Sequence, residues 1–216
     1  MRINVGCGAT PTDGWENFDN SLTVRIARWP FLVNALAQVA VLPAPSREFA
    51  RIASSTGIRF ANASVRIPGG DGSADAVYSS HMLEHLDRRE AQAFLREARR
   101  VLRPGGVLRL AVPDLNRLVA GYLASADADQ FVAGTHMGQE RPVSVLSRAK
   151  LALAGPRHHL WMYDGRSLAG LLAGAGFTAV QIMPAGTTRI TEPGNLDLAE
   201  RADESVFVEA VRPQSV

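Results

Sequence analysis

The sequence predicts an α/β fold: a mostly parallel sheet with helices on both faces and an antiparallel pair of strands at its end. Two observations carry this. Short apolar runs of strand character alternate with stretches of helical periodicity, the pattern of a parallel sheet with helical crossovers. The last two strand-like runs have no helix between them, because the 185–204 connection is rich in Gly, Thr, Pro and Asp. A loop of that kind suits antiparallel pairing. A chain of 216 residues is long enough for one domain with a sizeable core, so 1–216 is read as a single unit.

RINVG (2–6) reads as a short buried strand ending in glycine, and ENFD (16–19) as a second ending in an acid. GIRFANA (57–63) and DAVYSS (75–80) are the third and fourth. RREAQAFLREARRVL (88–102) is an amphipathic helix, with Ala91, Phe94, Leu95, Ala98, Val101 and Leu102 on one face and Asp87 as its N-cap. Arg103-Pro104-Gly105-Gly106 stops it and turns the chain. VLRLAVP (107–113) is the fifth strand, and a less regular helical region runs from 114 to 154. Asp164 caps a helix with Leu168, Leu171, Leu172 and Ala175 on one face, ended by Gly174 and Gly176. FTAVQIMP (177–184) and SVFVEAVR (205–212) are the final strands.

The net charge of +2, from 23 basic and 21 acidic residues, leaves no strong long-range field and does not point to nucleic acid. Arg96, Arg99, Arg100 and Arg103 are expected on the solvated face of their helix, without the interleaved aromatics of a strand-binding stripe. Cys7 is the only cysteine, which excludes an intrachain disulfide and suits a reducing, cytoplasmic setting. No signal peptide is read at the start. The most apolar stretch, WPFLVNALAQVAVL (29–42), is too short and too interrupted to span a bilayer. It suits a peripheral membrane contact, a pocket cover or an interface such as that of a homodimer.

The stretch INVGCGATPTDGWENFDNS (3–21) asks whether a nucleotide is held. A dinucleotide fingerprint needs G-x-G-x-x-G and an acid about 20 residues beyond the strand. Gly6 and Gly8 fit, but Pro11 occupies the third position and Asp19 comes too early. Between Gly8 and Glu16 there is no room for a regular crossover helix. What remains is a glycine turn that lets a ligand approach the backbone, beside a carboxylate that accepts from a ribose diol. That suits a nucleoside with no pyrophosphate to cradle.

The order VGCG, GWENFD, DGSADAVYSSHMLEHL, LREARRVLRPGGVLRLAVPD and HLWMYDGRSLAGLLAGAGF resembles the class I S-adenosylmethionine-dependent methyltransferases. Within them it is similar to a small bacterial branch with a G-W-x-N-x-D second strand. The resemblance implies a Rossmann-like, seven-stranded, mostly parallel sheet with an antiparallel last strand. It also implies S-adenosylmethionine as cofactor, held over the carboxyl ends of the strands. Carried over by position, Gly6, Cys7 and Gly8 line the methionine and ribose portion, Asp19 binds the ribose hydroxyls, and Asn62 with Ala63 sits at the adenine. The family more often has an aspartate where Asn62 stands. Ser80 and His81 lie near the sulfonium. Against the family pattern, the chain starts at the first strand without helices covering the acceptor. Inserted segments 22–50 and 117–160 are therefore expected to form a lid over the acceptor pocket.

Methyl transfer from a sulfonium is an in-line displacement, and a hydroxyl acceptor needs a base to take its proton. Histidine suits that task near neutral pH. His81 follows the fourth strand directly, and His158 and His159 lie in the aromatic PRHHLWMYD; these three are the candidate bases. Glu84 and His85 are expected to brace their loop, and His136 to belong to a lid. Trp161 and Tyr163 read as core packing between lid and sheet, with sugar stacking as the alternative. Asp114 reads as a helix N-cap. Pairing it with Asn116 and His81 as a metal site is disfavoured, so no metal is expected. Cys7 reads as a packing residue. The function expected is methylation of a hydroxyl on a small-molecule, glycan or lipid-linked acceptor. The alternative is a non-catalytic adenosyl-binding scaffold with the same fold.

Overall fold

The structure is a computed structural model, and it describes residues 1–38, 42–138 and 158–214. Its elements in chain order are β1 (Arg2–Val5), β2 (Glu16–Asp19), α1 (Leu22–Ala27), α2 (Pro30–Gln38), α3 (Ala44–Thr56), β3 (Arg59–Phe60), β4 (Ala74–Ser80), α4 (Arg88–Val101), β5 (Leu102–Pro113), α5 (Leu115–Ser125), α6 (Ala128–Thr135), α7 (Gly165–Gly174), β6 (Thr178–Met183) and β7 (Ser205–Val211). A 3-10 turn at Leu83–His85 links β4 to α4. Seven strands form one sheet in the order β3-β2-β1-β4-β5-β7-β6. Strands β1 to β5 run parallel, and β7 lies antiparallel to both β5 and β6.

The period of two along a strand sorts its side chains between faces. Ile3, Val5, Val77, Leu108, Leu110, Val112, Val206, Val208 and Ala210 all join the main core on one face. That face is closed by Ala91, Phe94, Leu95 and Ala98 of α4 and by Leu168 and Leu172 of α7. Each fully buried Leu or Phe there contributes about 1.5–3 kcal/mol. On the other face the intervening residues Ala76, Tyr78 and Val107 meet Trp15, Ile190 and Leu196. The cover over these central strands is therefore the 185–204 connection rather than a helix.

Helix ends follow the expected chemistry. Asp87 forms a capping box with Glu90 on α4, and Asp164 forms one with Ser167 on α7. Asp114 caps α5 by accepting from the Asn116 backbone N–H. The helical region after 114 breaks at Ala126, which is left-handed, and Asp127 then caps α6. Residues 139–157 of that region, and with them much of the expected 117–160 insertion, lie outside the described residues.

Three details differ from the sequence reading. The third strand is only Arg59–Phe60, because Gly57 is the left-handed cap of α3 and Asn62 turns the chain by accepting from the N–H and hydroxyl of Ser64. The strand at 107–113 begins earlier, at Leu102, which pairs with Ala74 before the register jumps to Ala76 opposite Val107. Residues 103–106 are thus a bulge within β5. Arg100 is not on a solvated face, since it bonds Glu97, Asp71 and the carbonyls of Ile67 and Gly69. No helix among the described residues is long and apolar enough to cross a membrane.

Candidate functional site

The site forms where β1, β2 and β4 end. Directly after β1, Gly6 has φ +67°, and a Cβ there would meet the Met82 side chain at 2.7 Å. Glycine at this position lets the first turn pack against the turn after β4. Gly8, at φ +51°, has open space where a Cβ would stand. The turn is tied to β2, because the Cys7 N–H donates to the Phe18 carbonyl at 3.1 Å. Asp19 closes it: Oδ2 accepts from the Gly8 N–H at 3.1 Å and Oδ1 from the Ser21 N–H at 2.7 Å. Burial raises the Asp19 carboxyl above its ordinary value, and these two amides counter that in part. Each carboxylate oxygen keeps a lone pair for a further donor.

These groups open on a cavity of about 770 Å³ whose wall includes Gly6, Gly8, Asp19, His81, Met82 and Arg201. Leu22, Thr23, Ser46 and Phe49 from the α1–α3 segment complete it. A second cavity, of about 480 Å³, lies across His81 and is lined by Asp114, Arg117, His136, His159 and Arg201 among others. His81, His85 and Arg201 belong to both walls.

His81 sits at φ 47°, a left-handed conformation outside the strand region. Its Nε2 is 2.8 Å from Ser205 Oγ, and Arg201 Nη1 is 3.1 Å from its Nδ1. A guanidinium only donates, so Nδ1 is the acceptor and Nε2 carries the proton toward Ser205. Burial, and then the charge of Arg201, push its pKa down to about 4, so the ring is neutral at neutral pH. Glu84, in the 3-10 turn, is buried, and burial pushes its carboxyl up to about 8. Its backbone carbonyl accepts from Leu160 and Trp161, so it braces the loop as expected. His159 is buried beside it and lowered to about 4 by burial, then by His85.

Of the residues singled out in the sequence, Gly6, Gly8, Asp19 and His81 meet at the first cavity and His159 faces the second. Cys7 packs with Val24, Ala50 and Ile58 beneath the turn, and burial drives its thiol pKa upward. Asn62, Ala63 and Ser80 are not on the first wall; Asn62 is engaged with Ser64 and Ala63 joins the main core. His158 offers its carbonyl to the His85 ring. Tyr163 is core, whereas Trp161 is 43 % exposed with the Arg88 guanidinium 4.8 Å over its ring.

Residues 33–110 match a family model described as a methyltransferase domain, a stretch that leaves out the glycine turn and Asp19. No curated protein matches the chain. Among solved structures, a SAM-dependent methyltransferase from Methanosarcina mazei is similar at TM-score 0.53 and 15% identity, covering 99% of this chain and 92% of that one. A putative methyltransferase in complex with the Haloferax volcanii Trm112 activator is similar at TM-score 0.50 and 14% identity, covering 100% and 82%. The fold is that of the class I S-adenosylmethionine-dependent methyltransferases. With the family model, it indicates a SAM-dependent methyltransferase whose cofactor is S-adenosylmethionine.

The first cavity suits this cofactor in its chemistry. Gly8 leaves room for close approach, and the half-buried Asp19 carboxylate suits a ribose diol. Sequence reading missed Arg201 and Ser205, which hold His81 from more than a hundred residues away. It also gave Glu84 no role beyond the loop. No local pattern signals any of the three.

Proposed function

We propose that this chain moves the methyl of S-adenosylmethionine to a hydroxyl of a small-molecule, glycan or lipid-linked acceptor. The observation that carries this is the pair of cavities meeting across His81. The bound cofactor supplies a methyl group on a sulfonium. Gly6, Gly8 and Asp19 orient its adenosyl end, and the acceptor enters from the second cavity. Proximity and alignment then supply most of the acceleration.

His81 is the base we assign. Its Nδ1 lone pair is covered by Arg201, a side chain 56% exposed. An acceptor hydroxyl that displaces Arg201 meets that lone pair directly. It also removes the second cause holding the imidazole pKa low, bringing the base closer to its working range. His158 and His159 are less suited: the first serves through its carbonyl and the second is turned toward Glu84. The α1–α3 segment and α5–α6 wall the two cavities, which supports a lid role for both insertions. Helix α2 buries no residue, and Phe31 on it is 72% exposed, which supports a lipid-linked acceptor or a peripheral membrane contact. A single buried cysteine supports a cytoplasmic setting.

Calorimetry with S-adenosylhomocysteine and a labelled-methyl assay across hydroxyl acceptors test the reading. Asp19→Ala is expected to weaken S-adenosylhomocysteine by about 1–3 kcal/mol, the cost of losing a half-buried charged acceptor. Unchanged affinity removes Asp19 from the site. Both ring nitrogens of His81 are engaged, which also suits an adenosyl-binding scaffold. Tight binding without transfer to any acceptor selects that second reading.

A further inference from the structure

The turn after β4 places a carboxylate where nothing satisfies it. Glu84 is 1% exposed, and neither carboxylate oxygen has a hydrogen-bond partner among the described residues. Burying such a group unpaired is costly. Three imidazole nitrogens face its Oε1: His81 Nδ1 at 3.5 Å, His85 Nε2 at 3.9 Å and His159 Nε2 at 3.9 Å. Their remaining contacts decide what those nitrogens present. His85 Nδ1 lies 3.0 Å from the His158 carbonyl, which only accepts, so the proton is on Nδ1 and Nε2 shows a lone pair. His81 Nδ1 likewise shows a lone pair, which Arg201 engages. Lone pairs therefore converge on a buried carboxyl group, and the Arg201 guanidinium engages only the His81 end of the cluster.

We propose that Glu84, His85 and His159 bind a divalent transition metal of the zinc class. Their ligand atoms all lie within 4.8 Å of one another. Donors about 2.0–2.2 Å from one such ion stand about 3–3.6 Å apart, so side-chain rotation closes the set. Two imidazoles and one carboxylate suit zinc, cobalt(II) or iron(II), whereas magnesium and calcium prefer all-oxygen sites. The His85 Nδ1–H on a backbone carbonyl is the outer contact that fixes a ligating tautomer. His85 and His159 both line the second cavity, which leaves a coordination position open toward it. The sequence reading expected no metal: the set it weighed was Asp114 with Asn116 and His81, and it took Glu84, four residues beyond β4, and His85 as loop braces.

The test is metal binding by the full chain, with no acceptor and no turnover required. Chelator-stripped protein is titrated with zinc, cobalt(II) and magnesium, following metal content, cobalt visible absorption and melting temperature. We expect a single equivalent of zinc, a cobalt ligand-field spectrum, a raised melting temperature and no response to magnesium. Glu84→Gln keeps the side-chain shape and is expected to weaken zinc at least ~10-fold, as is His159→Ala. Asp114→Asn, on the same cavity wall but outside the donor set, is expected to keep it. Folded wild-type protein that takes up no zinc and gives no cobalt spectrum overturns the site. So does zinc binding that both folded ligand variants leave unchanged. Either result can occur with methyl transfer intact, so failure here is separate from failure of the proposed reaction.

Discussion

His81 holds a backbone conformation that residues with a Cβ avoid, and it does so at the junction of two cavities. The strain turns its ring toward Ser205 and Arg201 instead of along the strand. Replacement by glycine relieves that strain, whereas alanine keeps it and loses the same ring contacts. His81→Gly is therefore expected to be more stable than His81→Ala by about 1–2 kcal/mol in urea unfolding, with both variants impaired in methyl transfer. Equal stabilities would mean that the left-handed geometry is not maintained in solution. At this scale the sequence was informative where a residue's meaning is local. Gly6, Gly8 and Asp19 are legible because turn, strand end and acid fall within one short stretch. Arg201 and Glu84 were not legible, because their meaning comes from burial and from partners distant in sequence.

Among the elements, α7 shows how a single side chain sets a boundary. The Asp164 carboxylate accepts from the Ser167 N–H at 2.6 Å, and the Ser167 hydroxyl accepts in return from the Asp164 N–H at 3.0 Å. The hydrogen bond from Ser167 holds the Asp164 pKa below its ordinary value. A carboxyl depressed in the folded state stabilises above its unfolded pKa and loses that contribution as pH falls through the folded one. Asp164→Ala is expected to cost about 1 kcal/mol at neutral pH. The gap from wild type should narrow on acidification below pH ~4, read by denaturant unfolding at several pH values. A gap that does not change with pH would assign the loss to something other than the charged cap. Caps and apolar periodicity made α4, α7 and most strands readable in advance. The shortness of β3 and the bulge in β5 were not readable. β3 is cut short by the Gly57 cap and the Asn62 turn acting together, and the bulge depends on the register with β4, which the 103–106 stretch does not carry.

For the whole molecule, the pivotal contact joins β5 to β7. Arg109 and Glu209 are register partners, both fully buried, with Nη1 and Oε1 2.9 Å apart. Arg109 also donates to the carbonyls of Thr187 and Leu198, and Glu209 accepts from the Arg189 N–H. The pair thus fastens the 185–204 connection to the sheet, and that connection carries Arg201 to His81. Glu209→Ala strands a buried guanidinium and is expected to cost about 3–5 kcal/mol. The double change Arg109→Met with Glu209→Leu is expected to lose far less, and comparing their unfolding midpoints checks this. A mild single variant would show that the pair is not the anchor. The alternation of elements already implied the mixed sheet, but a charged pair inside two apolar strands is invisible until their register is known. The position of β7 between β5 and β6 also bears on synthesis. β6 leaves the ribosome before β7, the strand it pairs with, so the nascent chain passes through a stage with a half-built sheet and an open edge along β5. During that interval another strand can compete with β7 for the open edge of β5.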